Sequence, residues 1–221
     1  WLYENVFWDL TVPRSGFLGG ETLMRSIRNF LGDKTFDDLE IPFACVATDI
    51  QTGEEVLFRD GRLTEAVRAS CSIPVLFRPI HYRGRYLVDG GLVNPVPTPV
   101  VSQMGADILL SVNLTQPPGE SRLPRHKELS ETLPLPLPAD FKGPHLATII
   151  FRTIYTMQYE IAQSRLEIAD VTITPNLKGF SWMEFYRAKE MIEAGERAAE
   201  EALPKIKQYL PFFSDFCKVP L

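Results

Sequence analysis

A short apolar run, Tyr86-Leu87-Val88, stops at Asp89, Gly90 and Gly91 and leads into Leu92-Val93-Asn94-Pro95. An apolar run that ends on a carboxylate and two glycines reads as a strand delivering Asp89 to the rim of a sheet. The glycines can take backbone angles that a Cβ forbids, and they leave room for a second backbone or a ligand. Strand ends in open α/β sheets are where ligands bind. Asp-Gly is also ordinary turn chemistry, so the surrounding chain has to decide between a turn and a site.

The surrounding chain alternates. Gly20 to Leu31 reads as a helix with apolar residues at Leu23, Ile27, Phe30 and Leu31, closed by Gly32. Phe43 to Thr48 is almost wholly apolar, the pattern of a strand covered on both faces. Asp49 to Gly53 turns the chain and Val56-Leu57-Phe58 returns it. Thr64 to Ala69 is a short helix stopped before Pro74, Pro97 to Met104 a helix opened by proline and closed by Gly105, and Ile108 to Val112 a further strand. This alternation predicts an α/β domain with a central, largely parallel sheet.

Residues 116–144 break the pattern with a proline-rich stretch that includes Leu133-Pro134-Leu135-Pro136-Leu137-Pro138. A loop of that length reads as a surface insertion or a lid. Leu146, Ile149, Ile150, Ile154, Met157 and Ile161 then mark one face of a long helix, expected to pack on the core, with a lipid-facing role as the alternative. Tyr186 to Tyr209 reads as an outer helical layer interrupted at Pro204.

Bulk properties exclude several classes. The 221 residues are 45% hydrophobic and 23% charged, as in folded soluble proteins. A net charge of −5 gives no basic face for nucleic acid. Cys45, Cys71 and Cys217 form neither a disulfide framework nor a C-x-x-C metal motif, and they read as buried thiols. No His/Asp cluster suggests a metal, and no apolar run approaches the ~18 residues of a membrane span.

Read in order, Ile41-Pro42-Phe43-Ala44-Cys45-Val46-Ala47-Thr48-Asp49, Gln51-Thr52-Gly53-Glu54, Ala66 to Pro74, Asp89-Gly90-Gly91, Asn94-Pro95-Val96-Pro97 and Met104-Gly105-Ala106-Asp107 resemble the patatin-like phospholipases, in particular the bacterial branch similar to neuropathy target esterase. The resemblance is dense from Phe7 to Asn113 and returns weakly from Ala169 to Pro175. It implies a three-layer α/β domain, with residues 1–115 in the catalytic core, 116–144 as a proline-rich loop or lid, and 145–221 completing the same domain. It implies that Asp89 is the general base of a Ser–Asp dyad, with Gly90, Gly91 and Asn94 on the rim of the site. The implied substrate is a lipid carboxylic ester, phospholipid or lysophospholipid, taken without cofactor or metal by a cytoplasmic or peripheral membrane protein.

The family's G-x-S-x-G elbow and glycine-rich oxyanion segment do not occur in these 221 residues. Ser15 and Ser121 lack the flanking glycines, and so do Ser70 and Ser72, for which the resemblance implies a packing role. The chain is therefore expected to be the C-terminal part of a larger acylhydrolase, with nucleophile and further strands in an upstream segment that is its partner in folding. A non-catalytic lipid-binding or scaffold module without a nucleophile is the alternative. A histidine triad fits poorly: His81 precedes Asp89, and His126 and His145 lie in or beside the proline-rich stretch.

Overall fold

The computed structural model describes residues 18–120, 146–181 and 184–209. Helix α1 (Glu21–Leu31) begins after Gly20 and stops at Gly32, whose N–H bonds to the Arg28 carbonyl at 2.8 Å. Strand β1 (Cys45–Asp49) is buried at all five positions, its apolar Cys45-Val46-Ala47 followed by the buried polar residues Thr48 and Asp49. It turns through Gln51–Glu54 into β2 (Glu55–Phe58). Helix α2 (Leu63–Ser70) follows, then the hairpin β3 (Ile80–Tyr82) and β4 (Arg85–Asp89). These strands form one sheet in the order β2-β1-β4-β3. Its register places Ala47 opposite Asp89 and Thr48 opposite Val88.

Alternation along β1 assigns the layers. Cys45 and Ala47 face α2 and join Phe36, Phe58, Leu63, Ala66, Ala69 and Leu87 in one core cluster. Val46, Thr48 and Val88 face the other way, where β1 packs against the 3-10 turn Gly90–Leu92. Helix α3 (Thr98–Gln103) leads to β5 (Leu110–Val112), and α4 (Leu146–Leu166) packs on both α3 and the Gly90–Leu92 turn. Strand β6 (Val171–Ile173) lies beside β5 and is covered by α5 (Ala188–Gln208).

The α/β class is as expected; the strand directions need a finer statement. Every pair in the four-stranded sheet is antiparallel, whereas β5 and β6 pair in parallel. Connection length accounts for the two hairpins and the parallel pair: β1–β2 and β3–β4 are joined by tight turns, which only antiparallel neighbours allow, while β5–β6 are joined across α4. Three local expectations also change. Phe30 is 79% exposed rather than packed beneath α1. On α4 the buried positions are Phe151 and Ala162, while Leu146, Ile149 and Met157 of the expected core stripe are exposed. Apolar residues surround this helix, so their pattern could not select the buried side. Pro204 lies inside α5 without ending it. The carbonyl it leaves unpaired, on Glu200, belongs to an exposed residue that water can serve. The proline-rich stretch from 121 onward, Ser15, His126, His145 and Cys217 lie outside the described residues.

Candidate active site

Asp89 ends β4 and caps the turn that follows it. Its Oδ1 accepts the Gly91 N–H at 2.7 Å, its own N–H donates to the Ser72 carbonyl at 2.9 Å, and its carbonyl accepts the Thr48 hydroxyl at 2.9 Å. The backbone of this one residue is thus fixed from β1 and from the segment after α2. A half-buried carboxylate results, with Oδ2 holding no hydrogen bond to the described residues. Burial raises its pKa above the ordinary carboxyl value, and the Gly91 N–H opposes that rise without cancelling it.

Gly90 is required by proximity. A Cβ there would overlap the Val46 carbonyl, so only glycine lets the turn lie flat on β1. Gly91 is crowded from the other side, by the Gln158 carboxamide of α4 and by the Asp89 carboxylate itself. Asn94 is 4% exposed; its N–H donates to the Gly90 carbonyl at 2.8 Å and its Nδ2 to Glu55 Oε2 at 2.9 Å. The structure therefore brings together all four residues singled out around the D-G-G sequence.

The segment after α2 forms the neighbouring wall. Buried Arg68 donates to the Ser72 hydroxyl at 2.5 Å and lies over the Phe77 ring at 5.2 Å. Gly20, at φ 86, passes so close to this guanidinium that a Cβ would overlap it. The Ser72 hydroxyl in turn donates to the Arg68 carbonyl at 2.7 Å, which makes it a packing group. Val75 stands at φ 72, a strained angle for a β-branched residue. Cys71 is exposed rather than buried as expected, yet the surrounding protein and the Asp89 charge push its thiol pKa up. Cys45 is buried and pushed up to about 12.

Other expectations sort themselves by distance. Leu87 and Val88 are buried, but Tyr86 is 47% exposed, its ring tilted against that of His81 at 5.1 Å between ring centres. His81 sits exposed on β3, away from Asp89. A groove of about 550 Å³, lined by Leu31, Leu39, Ile41, Phe43, Leu63 and Val67 among others, opens at the start of α2; Asp89 stands near that helix's other end and is not one of its walls. Among the described residues no group of His, Cys, Asp and Glu could hold a metal, and no helix is long and apolar enough to cross a membrane. Sequence reasoning missed Arg68 and Gln158. Gln158 shares a face with Phe151, Tyr155, Ala162 and Arg165, a spacing invisible to a search for apolar residues alone.

A fixed carboxylate at a strand end, partly withdrawn from water and backed by a glycine turn, is chemically able to accept a proton. Residues 2–102 match the patatin-like phospholipase family model, and through this region the chain is similar to proteins of the NTE family. It is 35% identical over 106 residues to an uncharacterized NTE family protein of Mycobacterium tuberculosis, covering 48% of this chain and 29% of that protein. It is 26% identical over 210 residues to a lysophospholipase of Aspergillus terreus, covering 90% of this chain and 13% of that one. It is 32% identical over 108 residues to the patatin-like phospholipase domain-containing protein 7 of Rattus norvegicus, covering 48% and 8%. The chain thus spans well under two thirds of the length of these curated relatives.

Proposed function

We propose that this chain supplies the general base of a serine acylhydrolase acting on lipid carboxylic esters, with phospholipid or lysophospholipid as the substrate class. The observation that carries the reading is Asp89: a half-buried carboxylate whose Oδ1 is tied to the Gly91 N–H and whose pKa is raised by desolvation. A free Asp, with a pKa of ~3.9, is a weak base at neutral pH. Raising that value makes proton removal from a hydroxyl more favourable.

In the proposed reaction Asp89 takes the proton of a serine hydroxyl as its oxygen attacks the ester carbonyl. The alcohol leaves with that proton, and an acyl-serine remains. Water then attacks the acyl carbon, Asp89 accepts its proton, and the acid is released as the serine oxygen recovers a proton. The G-x-S-x-G serine and the oxyanion donors do not occur in residues 1–221 and are supplied by another segment. Backbone donors of that kind contribute about 3–4 kcal/mol each to such reactions. The similarity to a lysophospholipase over 90% of this chain supports the substrate class. Contact with a membrane surface follows from a substrate that resides there.

Absence of the serine elbow favours a second reading, a non-catalytic lipid-binding or scaffold module. Kinetics on the full-length protein decide between the two. Asp89→Asn keeps the shape and cannot take the proton, so short-chain ester hydrolysis is expected to fall by about 10²–10⁴-fold. His81→Ala, His126→Ala and His145→Ala are expected to retain most activity. Near-normal turnover in Asp89→Asn with loss in one histidine variant overturns the dyad. A wild-type protein that neither hydrolyses esters nor reacts with a fluorophosphonate supports the module.

A further inference from the structure

On α4 the side turned to the protein is the polar one. Tyr155, Gln158 and Arg165 share that side with buried Phe151 and Ala162. The Tyr155 hydroxyl accepts the Gln116 N–H at 2.9 Å, and Arg165 Nη2 donates to the Val93 carbonyl at 3.4 Å. At 3.6 residues per turn, Leu146, Ile149, Ile150, Thr153 and Met157 form a stripe on the opposite side. Leu146, Ile149 and Met157 are 66%, 47% and 56% exposed. Thr153 is the one polar residue of the stripe, and its hydroxyl donates to the Ile149 carbonyl of its own helix at 2.9 Å. A surface helix in water carries the reverse pattern, apolar toward the core and polar outward. The outer side of α4 is built for an apolar neighbour.

Size and charge select that neighbour. From Leu146 to Met157 the stripe runs about 17 Å and is one or two side chains wide. A stable protein interface takes ~800 Å² from each partner, so this patch is too small to hold a second copy of the chain. It suits a helix that lies in the headgroup region of a bilayer with one apolar side immersed. In a chain of net charge −5, residues 146–159 hold one charged residue, the exposed Arg152, and no carboxylate. Arg152 stands on the flank of the stripe, where its stem can lie along acyl chains and its guanidinium can pair with lipid phosphates. No described helix is long and apolar enough to cross a membrane, so the contact is one along the surface.

We infer that the outer stripe of α4 is a membrane-docking face, with a lipid bilayer as its occupant. This rests on a lipid partner, which both readings of the function share, and it says where that partner is met. The packing side of the same helix lies against the Gly90–Leu92 turn. A bilayer on the outer side is thus one helix diameter, ~10 Å, from the turn that Asp89 caps. Docking holds the site at the surface from which its substrate comes. The stripe therefore governs hydrolysis of lipid in vesicles and leaves hydrolysis of a dissolved ester untouched.

Vesicle flotation and paired activity assays test this on the full-length protein. Wild type, Ile149→Gln/Met157→Gln, Arg152→Gln and Phe30→Gln are compared on vesicles of phosphatidylcholine and phosphatidylglycerol in equal parts. A p-nitrophenyl ester of a short acid serves as the dissolved substrate. Glutamine is a good residue for an exposed helix, so the unfolding midpoints are expected to agree. Keeping one such side chain out of lipid costs about tenfold in partitioning, so the double variant is expected to bind vesicles about a hundredfold more weakly. Its vesicle hydrolysis falls with binding, while its nitrophenyl ester rate stays at the wild-type value. Arg152→Gln is expected to bind about fivefold more weakly at low salt and like wild type at high salt. Phe30→Gln, which removes an exposed apolar residue of α1, is expected to bind as wild type does.

Unchanged vesicle binding in the double variant overturns the inference. An equal loss in Phe30→Gln also overturns it, because that marks unspecific adhesion. Loss of both rates with a lowered unfolding midpoint does the same, since it marks a face packed against protein. Disappearance of a dimer in sedimentation velocity, with vesicle binding retained, assigns the stripe to a second copy instead. A wild type that binds vesicles through the stripe but hydrolyses no ester leaves the docking face standing and refutes the hydrolase reading alone.

Discussion

Withdrawing the Asp89 carboxylate from water favours its neutral form, and the single Gly91 N–H recovers only part of that cost. The native state therefore holds this proton more tightly than the unfolded chain does. As pH rises from the usual carboxyl range through the raised value, the unfolded chain gives up the proton first, so stability falls across that window and stays lower above it. Asp89→Asn removes the charge and keeps an acceptor for Gly91, so it is expected to unfold later than wild type at neutral pH. The advantage should close below pH ~3.9, where the carboxyl is neutral in both states. Thermal unfolding at acid and neutral pH checks this, and an earlier unfolding of the variant at neutral pH counts against it. The same charge acts on Cys71, raising its thiol pKa against the pull of Arg68. Iodoacetamide is accordingly expected to label Cys71 slowly in wild type and faster in Asp89→Asn, as read by peptide mass spectrometry. Cys45, at about 12, should stay unlabelled until the chain unfolds.

Between elements, the tightest constraint is the contact of the Gly90–Leu92 turn with β1. Gly90→Ala puts a methyl group into the Val46 backbone, and backbone cannot rotate away as a side chain can. The turn must lift or the β1–β4 ladder must slide, at about 1–3 kcal/mol, the usual range for overpacking. A lower denaturant midpoint with an unchanged m-value is the expected signature. That contact was half legible in the sequence. The mostly apolar run from Phe43 into β1 announced a strand covered on both faces, and Asp89-Gly90-Gly91 announced a strand end with a close approach. What the sequence could not say was which backbone approached, because that depends on pairing across some 41 residues, set by the β1–β4 register and the Thr48–Asp89 hydrogen bond. The buried side of α4 was illegible for another reason: apolar residues encircle the helix, and tertiary contacts with Gly91 and Val93 select a side carrying Gln158 and Arg165. Pro204 misled because a proline near an exposed helix end costs little when water can serve the freed carbonyl.

Across the whole molecule the two sheets differ in how well they are covered. The antiparallel sheet has α2 on one face and the Gly90–Leu92 turn with α4 behind it. The parallel pair has α5 against β6, but β5 carries Leu110 at 48% and Val112 at 52% exposure, with Leu114 at 58% just beyond. Among the described residues β5 is bonded on one side only, to β6. Parallel strands are ordinarily buried on both faces, and a two-stranded sheet is marginal by itself. An apolar strand with an open edge is a template for pairing with another chain. Residues 1–221 expressed alone are therefore expected to self-associate at micromolar concentration. Val112→Lys places a charge on that strand, the device by which natural edge strands resist pairing, and is expected to shift the population toward monomer. Sedimentation velocity across a concentration series reads both outcomes. If the 221-residue chain sediments as a monomer and unfolds in one cooperative transition, the β5 surface is satisfied within the chain and this argument fails. If it associates and Val112→Lys does not relieve it, the adhesive surface lies elsewhere, with the exposed Leu146, Ile149 and Met157 of α4 the next to substitute.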